Sequence, residues 1–311
     1  MRVALLGSTQ FSAACLRTLL RLGIDIAGVV TTQAEIRIPS VASSLRIVQH
    51  ADLGDAAAAA ACPVVHLTGK MNEHVGVIGA LRPDFLLAAG WYHIVPRSIR
   101  DLAPLGAAGI HASLLPRYRG GAPINWAIIH GEERSGVTLF YLDDTVDGGD
   151  IIGQTEFPIG FDDTCATLYE RATDAACRLL ERYMPLIERG SAPRVPQDAT
   201  HATSFPLRRP EDGAIAWSSS ARRLYDWVRA QTRPYPGAFA WLNDRKVVIW
   251  RAVPLPDQAG AQPGTVLTAR EGFGVDVATG DGVLRLLEFE GCGWEHLRSG
   301  VTFSEVTSEA T

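Results

Sequence analysis

Two short stretches of the 311-residue sequence concentrate side chains able to move protons or hold a ligand. Residues 109–121 read Gly-Ile-His-Ala-Ser-Leu-Leu-Pro-Arg-Tyr-Arg-Gly-Gly and run on into Ala-Pro-Ile-Asn-Trp-Ala-Ile. His111 stands at the carboxyl end of a predicted strand, ahead of a proline-stiffened loop and two glycines, where open α/β sheets hold their ligands. The second stretch, residues 143–150, reads Asp-Asp-Thr-Val-Asp-Gly-Gly-Asp and puts carboxylates on a flexible loop between strands. Taken alone, that loop is an ordinary solvated acidic turn, because Asp and Gly are favoured turn residues.

Both stretches need a scaffold, and the hydrophobic pattern supplies one. An apolar run at 2–6 ends in Gly7-Ser8, and Phe11, Leu16, Leu19 and Leu20 then recur at helical spacing until Gly23. Further strands are predicted at 25–31, 63–67, 84–90 and 106–112, with helices at 71–81, 95–102 and, opened by a proline, 123–131. Strands at 136–143 and 150–159 flank the acidic loop, and a long helix over 165–189 closes the unit. Strands alternating with helices predict an α/β fold: a mostly parallel, Rossmann-like sheet covered by helices on both faces.

Composition changes after Gly190, where Ser-Ala-Pro-Arg-Val-Pro-Gln-Asp has the character of a linker. The expected organisation is therefore a catalytic domain over 1–190, a linker over 191–205 and a smaller C-terminal domain over 206–311. A helix at 221–230 and short strands at 238–242, 246–252, 264–269, 274–278 and 282–289 predict a β-rich, barrel-like (OB-like) domain.

Several function classes drop out at this level. The chain carries 29 basic and 34 acidic residues, a net charge of −5, which offers no general attraction to a phosphate backbone and disfavours nucleic acid as a partner. Apolar runs such as 56–61 and 85–89 fall far short of a bilayer span, and the N-terminus lacks the pattern of a signal peptide, so a cytoplasmic protein is expected. The five cysteines are scattered without a C-x-x-C pair, as buried free thiols are, and no metal is expected. The turn after 2–6 has one glycine where a dinucleotide fingerprint needs three.

The two chemical stretches together resemble the formyltransferase family that uses 10-formyltetrahydrofolate. Its members carry an Asn-x-His-x-Ser-Leu-Leu-Pro-x-(Tyr/Trp)-Arg-Gly segment and, further along, an Asp-x-Gly loop; His111 and Asp147 stand in the matching places. Arg208–Asp212, Val228–Ala230 and Pro234–Phe239 resemble the C-terminal domain shared by methionyl-tRNA formyltransferase and the bacterial UDP-4-amino-4-deoxy-L-arabinose formyltransferase domain. The chain looks more like the sugar enzyme, since 32–40 holds only Arg37 as a base and the linker only Arg194, too little positive charge for tRNA.

The resemblance implies transfer of a formyl group from 10-formyltetrahydrofolate, as co-substrate and without metal, to the amine of a small acceptor such as an amino sugar nucleotide. An amine attacks the formyl carbon, a tetrahedral oxyanion forms, a proton is lost and the folate nitrogen leaves. His111 would move protons, since an imidazole takes both protonation states near neutrality, and Asp147 would orient it and favour its cation. The folate head would lie between Ala89, Gly90, Trp91 and Tyr92 on one side and the loop of Asp143, Asp144 and Asp147 on the other. Ser113, Leu114, Leu115 and Pro116 would wall it from the acceptor, with Arg117 and Arg119 as candidate anion contacts.

Gly109 departs from the pattern, because the family has an oxyanion-stabilising Asn there. Three explanations stand open: a substitute donor such as Asn125 or a backbone N–H, a shift to another one-carbon or acyl transfer, or ligand binding without turnover. The missing side chain also offers room for an unusual substrate. Methionyl-tRNA formyltransferase and a folate- or metabolite-binding pseudoenzyme are the alternative functions, and the oligomeric state is left open.

Overall fold

The computed structural model describes residues 1–37, 44–256 and 260–304. The stretch 32–40 and the predicted C-terminal domain therefore extend partly outside the described residues. The chain divides into two compact units, the first built from 1–123, 134–158 and 170–206, and the second from 124–133, 159–169 and 207 onward.

The first unit is organised around a seven-stranded sheet. Its strands are β1 (Arg2–Leu6), β2 (Asp25–Thr31), β3 (Val64–His66), β4 (Phe85–Ala89), β5 (Ala107–His111), β6 (Arg134–Tyr141) and β7 (Ile151–Pro158), in spatial order β7-β6-β5-β4-β1-β2-β3. Five neighbouring strands, β3 to β5 in that order, run parallel, and β6 joins antiparallel to both β5 and β7. Strands such as Phe85–Ala89 are apolar at every position and buried on both faces, as interior strands of a parallel sheet must be. Residues of β1, β2 and β4, among them Leu6, Val30 and Leu86, join Ile78, Leu81 and Ile99 in one core cluster.

Helix α1 (Gln10–Arg21) begins at Thr9, which caps it reciprocally with Ser12. Ser12 Oγ also donates to the carbonyl of Ala89 at 2.6 Å, tying the helix start to the end of β4. The Ala-rich tract forms α2 (Gly54–Ala59). The helix predicted over 71–81 is a 3₁₀ turn, Met71–His74, followed by α3 (Val75–Ala80), and that predicted over 95–102 shortens to α4 (Arg97–Arg100) behind Pro96. Helix α5 spans Pro123–Ile129 and α6 Cys165–Glu188.

The segment predicted as a linker is strapped to the first unit. Val195 exchanges backbone hydrogen bonds with Ile151, and Ser204–Phe205 pair in parallel with Arg119–Gly120. That pairing has no local signature, since each strand is two residues long and its partner lies far away in sequence.

In the second unit α7 (Ala221–Arg229) packs Leu224, Tyr225 and Val228 into a core with Trp217, Val247, Ile249, Val277 and Leu286. The sheet is wholly antiparallel: β8 (Ala238–Leu242), β9 (Arg245–Leu255), β10 (Val266–Arg270), β11 (Gly274–Ala278) and β12 (Val283–Glu290), ordered β8-β9-β12-β11-β10. Residues 302–304 bridge Thr265, next to β10, and Trp241 in β8, so one short segment touches both ends of the open sheet. Phe303, between those bridges, stacks on Trp217 with ring centroids 5.3 Å apart.

Arg229 is a buried charge of the second unit, 5% exposed. Its Nε donates to Asp226 Oδ1 at 2.7 Å and its Nη1 to the carbonyls of Asp163 at 2.7 Å and Gly160 at 3.2 Å. Arg229→Met removes a donor from two carbonyls and leaves Asp226, itself buried, with Arg222. The expected cost is about 3–5 kcal/mol, read as a lowered urea midpoint; a change below about 1 kcal/mol would mean the network contributes little.

Candidate active site

His111 ends β5, a strand whose apolar residues hold it between β4 and β6 in the registers Ala89↔Ile110 and His111↔Thr138. The side chain is buried, at 9% exposure. Its Nε2 lies 2.7 Å from the carbonyl oxygen of Tyr118. A carbonyl only accepts, so Nε2 carries the hydrogen and, in the neutral ring, Nδ1 presents its lone pair. Nδ1 faces Asp147 Oδ2 at 3.6 Å. That separation is too long for a hydrogen bond but close enough for the carboxylate to stabilise a proton arriving on Nδ1.

Asp147 has a left-handed backbone, φ 52°, which an aspartate tolerates better than most residues. Its Oδ2 accepts the Gly120 N–H at 2.8 Å. The turn is tight enough that a Cβ on Gly149 would lie 1.9 Å from the carbonyl oxygen of Tyr141. The other loop carboxylates have different partners: Asp143 Oδ1 accepts from the backbone and hydroxyl of Thr145, and Asp144 pairs with Arg100. Of the three predicted aspartates, Asp147 is the one that meets the imidazole.

The loop after His111 is held from several directions. Ser113 Oγ donates to the carbonyl of Arg117 at 2.7 Å, and Thr138 Oγ1 donates to the carbonyl of Ser113 at 2.7 Å while accepting the Leu115 N–H at 3.1 Å. Gln154 Nε2 donates to the carbonyl of Leu115. Leu115 is buried, and Leu114 and Pro116 are half-buried. The Tyr118 N–H donates to Thr203 Oγ1 at 2.9 Å, and the Tyr118 ring stacks on Phe205. Thr138, Gln154 and Thr203 carried no motif signal; they act through backbone groups distant in sequence.

The two predicted anion contacts separate. Arg119 directs Nε and Nη2 at Gln197 Oε1, at 3.1 and 2.6 Å, and so serves the protein interior. Arg117 is exposed, its guanidinium 5.5 Å from the Tyr118 ring centroid. Asn125 belongs to the second unit, where its Nδ2 donates to the carbonyl of Ala230 at 2.6 Å.

In the predicted folate segment, Ala89 is wholly buried and its carbonyl accepts Ser12. Gly90 has φ +61°, and a Cβ there would lie 2.2 Å from Thr9 Oγ1. Trp91 packs its ring against His93 with centroids 5.3 Å apart, and Tyr92 is half-buried. Trp91 Nε1 and His93 Nε2 are buried and have no hydrogen-bond partner in the structure. Burial lowers the His93 pKa from its ordinary 6.5, keeping the ring neutral at neutral pH. Unpartnered ring nitrogens beside an aromatic face fit a planar heterocycle that carries its own donors and acceptors. His93 was not among the predicted site residues.

Burial raises the Cys15 thiol and pushes Cys165 up to about 12, so neither is a nucleophile at neutral pH. Among the described residues no group of three or more His, Cys, Asp or Glu could hold a metal ion, and no helix is long and apolar enough to cross a membrane. A cavity of about 370 Å³, lined by Arg2, Ile24, Pro63 and Leu81 among others, lies at the amino ends of β1 and β2, away from the His111 end of the sheet.

Gly109 shares a strand face with His111 and is paired directly with Phe140. It leaves no open space: a Cβ there would lie 2.9 Å from Leu142 Cδ2 and 3.0 Å from Phe140 Cε1. The expectation of extra room is thus corrected, because apolar side chains from β6 and the residue after it fill the volume. Gly109→Asn is expected to lower stability by about 1–3 kcal/mol through overpacking, and adding Leu142→Ala to recover part of it. Thermal melting of the two variants checks this; an unchanged melt for Gly109→Asn would show that Phe140 and Leu142 yield freely.

Residues 1–184 match the model of the formyl transferase family, and 208–295 match that of the formyl transferase C-terminal domain. A methionyl-tRNA formyltransferase of Syntrophus aciditrophicus (strain SB) is 34% identical over 294 residues, covering 93% of this chain and 90% of the relative. Among solved structures, an N-formyltransferase from Helicobacter canadensis in complex with folinic acid and dTDP-3-aminofucose aligns with a TM-score of 0.68 at 18% identity, over 93% of this chain and 99% of that one. HypX from Aquifex aeolicus in complex with tetrahydrofolic acid aligns with a TM-score of 0.65 at 20% identity, over 94% of this chain but 44% of HypX, so the chain spans under half of that protein. At these identities the structural matches speak for the fold alone. With both family models matched, and with His111 and the acidic loop inside the first, the chain belongs to the formyl transferase family.

Proposed function

We propose that the chain transfers the formyl group of 10-formyltetrahydrofolate to the amine of a small acceptor, an amino sugar nucleotide by class. The observation that carries this reading is the His111–Asp147 arrangement: Nε2 is committed to the Tyr118 carbonyl, and Nδ1 is open on the side where Asp147 stands 3.6 Å away. As the acceptor nitrogen attacks the formyl carbon, its proton passes to Nδ1, and Asp147 stabilises the imidazolium. The same proton then goes to the folate nitrogen as the carbon–nitrogen bond to it breaks, leaving the formylated acceptor and tetrahydrofolate. No side chain at 109 is available to stabilise the oxyanion, so that task falls to backbone N–H groups and to the imidazolium. Trp91 and His93 would receive the folate head.

The methionyl-tRNA relative favours a second reading, in which the acceptor is a charged tRNA. The two readings differ in salt dependence, since tRNA binding weakens steeply with ionic strength and sugar-nucleotide binding does so far less. Purified protein incubated with 10-formyltetrahydrofolate and either amino sugar nucleotides or methionyl-tRNA, with tetrahydrofolate release and acceptor mass followed together, separates them. Folate binding without release of tetrahydrofolate in any mixture would favour a binding protein over an enzyme.

His111→Ala is expected to abolish transfer while leaving affinity for the formyl donor within about twofold, because its role is proton movement rather than donor recognition. Full turnover in that variant would end this mechanism. Asp147→Asn is expected to slow turnover strongly, since a neutral amide cannot stabilise the imidazolium; a change in thermal stability alone would make Asp147 a loop-structuring residue. Gly109→Asn is expected to reduce turnover with the true acceptor, and a gain there would mean the amide supplies a donor that the site lacks.

A further inference from the structure

Building on the role proposed for Asp147 in formyl transfer, we infer that Gln197, gripped by Arg119, is the positioning residue that holds Asp147 beside His111. Gln197 Nε2 donates to two backbone carbonyls of the acidic loop, Asp147 O and Gly149 O, both at 2.8 Å. Its Oε1 accepts both Nε and Nη2 of Arg119. The side chain amide thus has its donor end on the loop and its acceptor end on a guanidinium, which fixes its orientation. Arg119 belongs to the loop that follows His111, and the next residue, Gly120, donates its N–H to the Asp147 carboxylate.

These contacts make a closed ring: Asp147 carboxylate to Gly120 N–H, along the chain to Arg119, across to Gln197, and back to the Asp147 carbonyl. The backbone at Asp147 is left-handed, a conformation that an unsupported aspartate populates only in part. Two hydrogen bonds on the carbonyls either side of Gly148 hold the peptide planes that aim the carboxylate at Nδ1. Gln197 reaches the loop because Val195 is bridged to Ile151 on one side and Thr203, Ser204 and Phe205 are bound to the His111 loop on the other. The strap between the two is the structural means by which residue 197 stays in place.

The test uses the full chain with Gln197→Met, which keeps length and neutrality while removing both donor and acceptor. Amide hydrogen exchange resolved by residue reads the Asp147 carboxylate without any substrate, because Gly120 N–H donates to it. The neighbouring amides of Arg119 and Gly121 donate to Thr203 O and Phe205 O and report whether the strap itself is intact. The expected result is exchange at Gly120 faster by about tenfold or more, with Arg119 and Gly121 within about twofold of the parent. Unchanged exchange at Gly120, or equal acceleration at all three amides, overturns the inference.

Turnover is the second arm. In the variant kcat is expected to fall by about tenfold or more with KM for the formyl donor nearly constant, since a displacement of about 1 Å at a reacting group is enough for such losses. In an Asp147→Asn background the same substitution is expected to add less than about twofold, because its effect runs through that carboxylate. Additive losses in the double variant overturn the inference. If Gly120 loses protection while kcat stays at the parent value, Gln197 does hold Asp147 and it is the role of Asp147 in transfer that fails.

Discussion

The proposed chemistry depends on one hydrogen bond, from the imidazole Nε2 of His111 to the carbonyl of Tyr118. It decides which ring nitrogen is free, and thereby which direction a proton can come from. The carbonyl is aimed by a backbone that turns left-handed at Tyr118, φ 59°, and that turn is secured by Thr203 on the Tyr118 N–H and by the Phe205 ring against the tyrosine. The sheet brings His111 to its carboxyl edge, but the tautomer comes from seven residues downstream. Asp147 stands beside an imidazole whose orientation is already determined.

How much of this was readable in advance depends on whether the cause is local. The strand ending at His111 and the acidic loop after β6 were legible, because apolar periodicity and turn residues are short-range signals. The partner of His111 Nε2 was not, since any backbone carbonyl serves and no residue type announces it. Arg119 illustrates the same limit. Its type and place suggest an anion ligand, yet its guanidinium is turned to Gln197, 78 residues on in a segment with the composition of a tether. Proline and small polar residues there signal the absence of regular structure, which is a different matter from the absence of contacts. The filling of the Gly109 volume was hidden for a further reason: it depends on the register that sets Phe140 opposite Gly109, and alternation within each strand leaves register undetermined.

The first unit also separates two tasks that the acidic loop appeared to combine. Asp143 and Asp144 shape the loop through Thr145 and Arg100, leaving Asp147 as the carboxylate beside the ring. Concentrating loop-shaping carboxylates next to the one that faces His111 explains why the loop reads as an ordinary acidic turn. Its charge is largely partnered within the protein, and the face toward His111 carries one acceptor in one orientation.

The second unit takes two of its three pieces, 124–133 and 159–169, from within the sequence span that builds the first. During synthesis those pieces emerge long before α7 and the antiparallel sheet exist to receive them. Ile124, Ile128 and Leu168, all buried in the finished protein, belong to those early pieces. Arg229, whose guanidinium donates to the carbonyls of Gly160 and Asp163, is made only later. A cut near residue 190 or 206 would leave the second unit without 124–133 and 159–169, so neither point divides the chain into two independently complete proteins. Completion of the second unit is then a late event, since its largest piece, from residue 207 onward, is the last to be made.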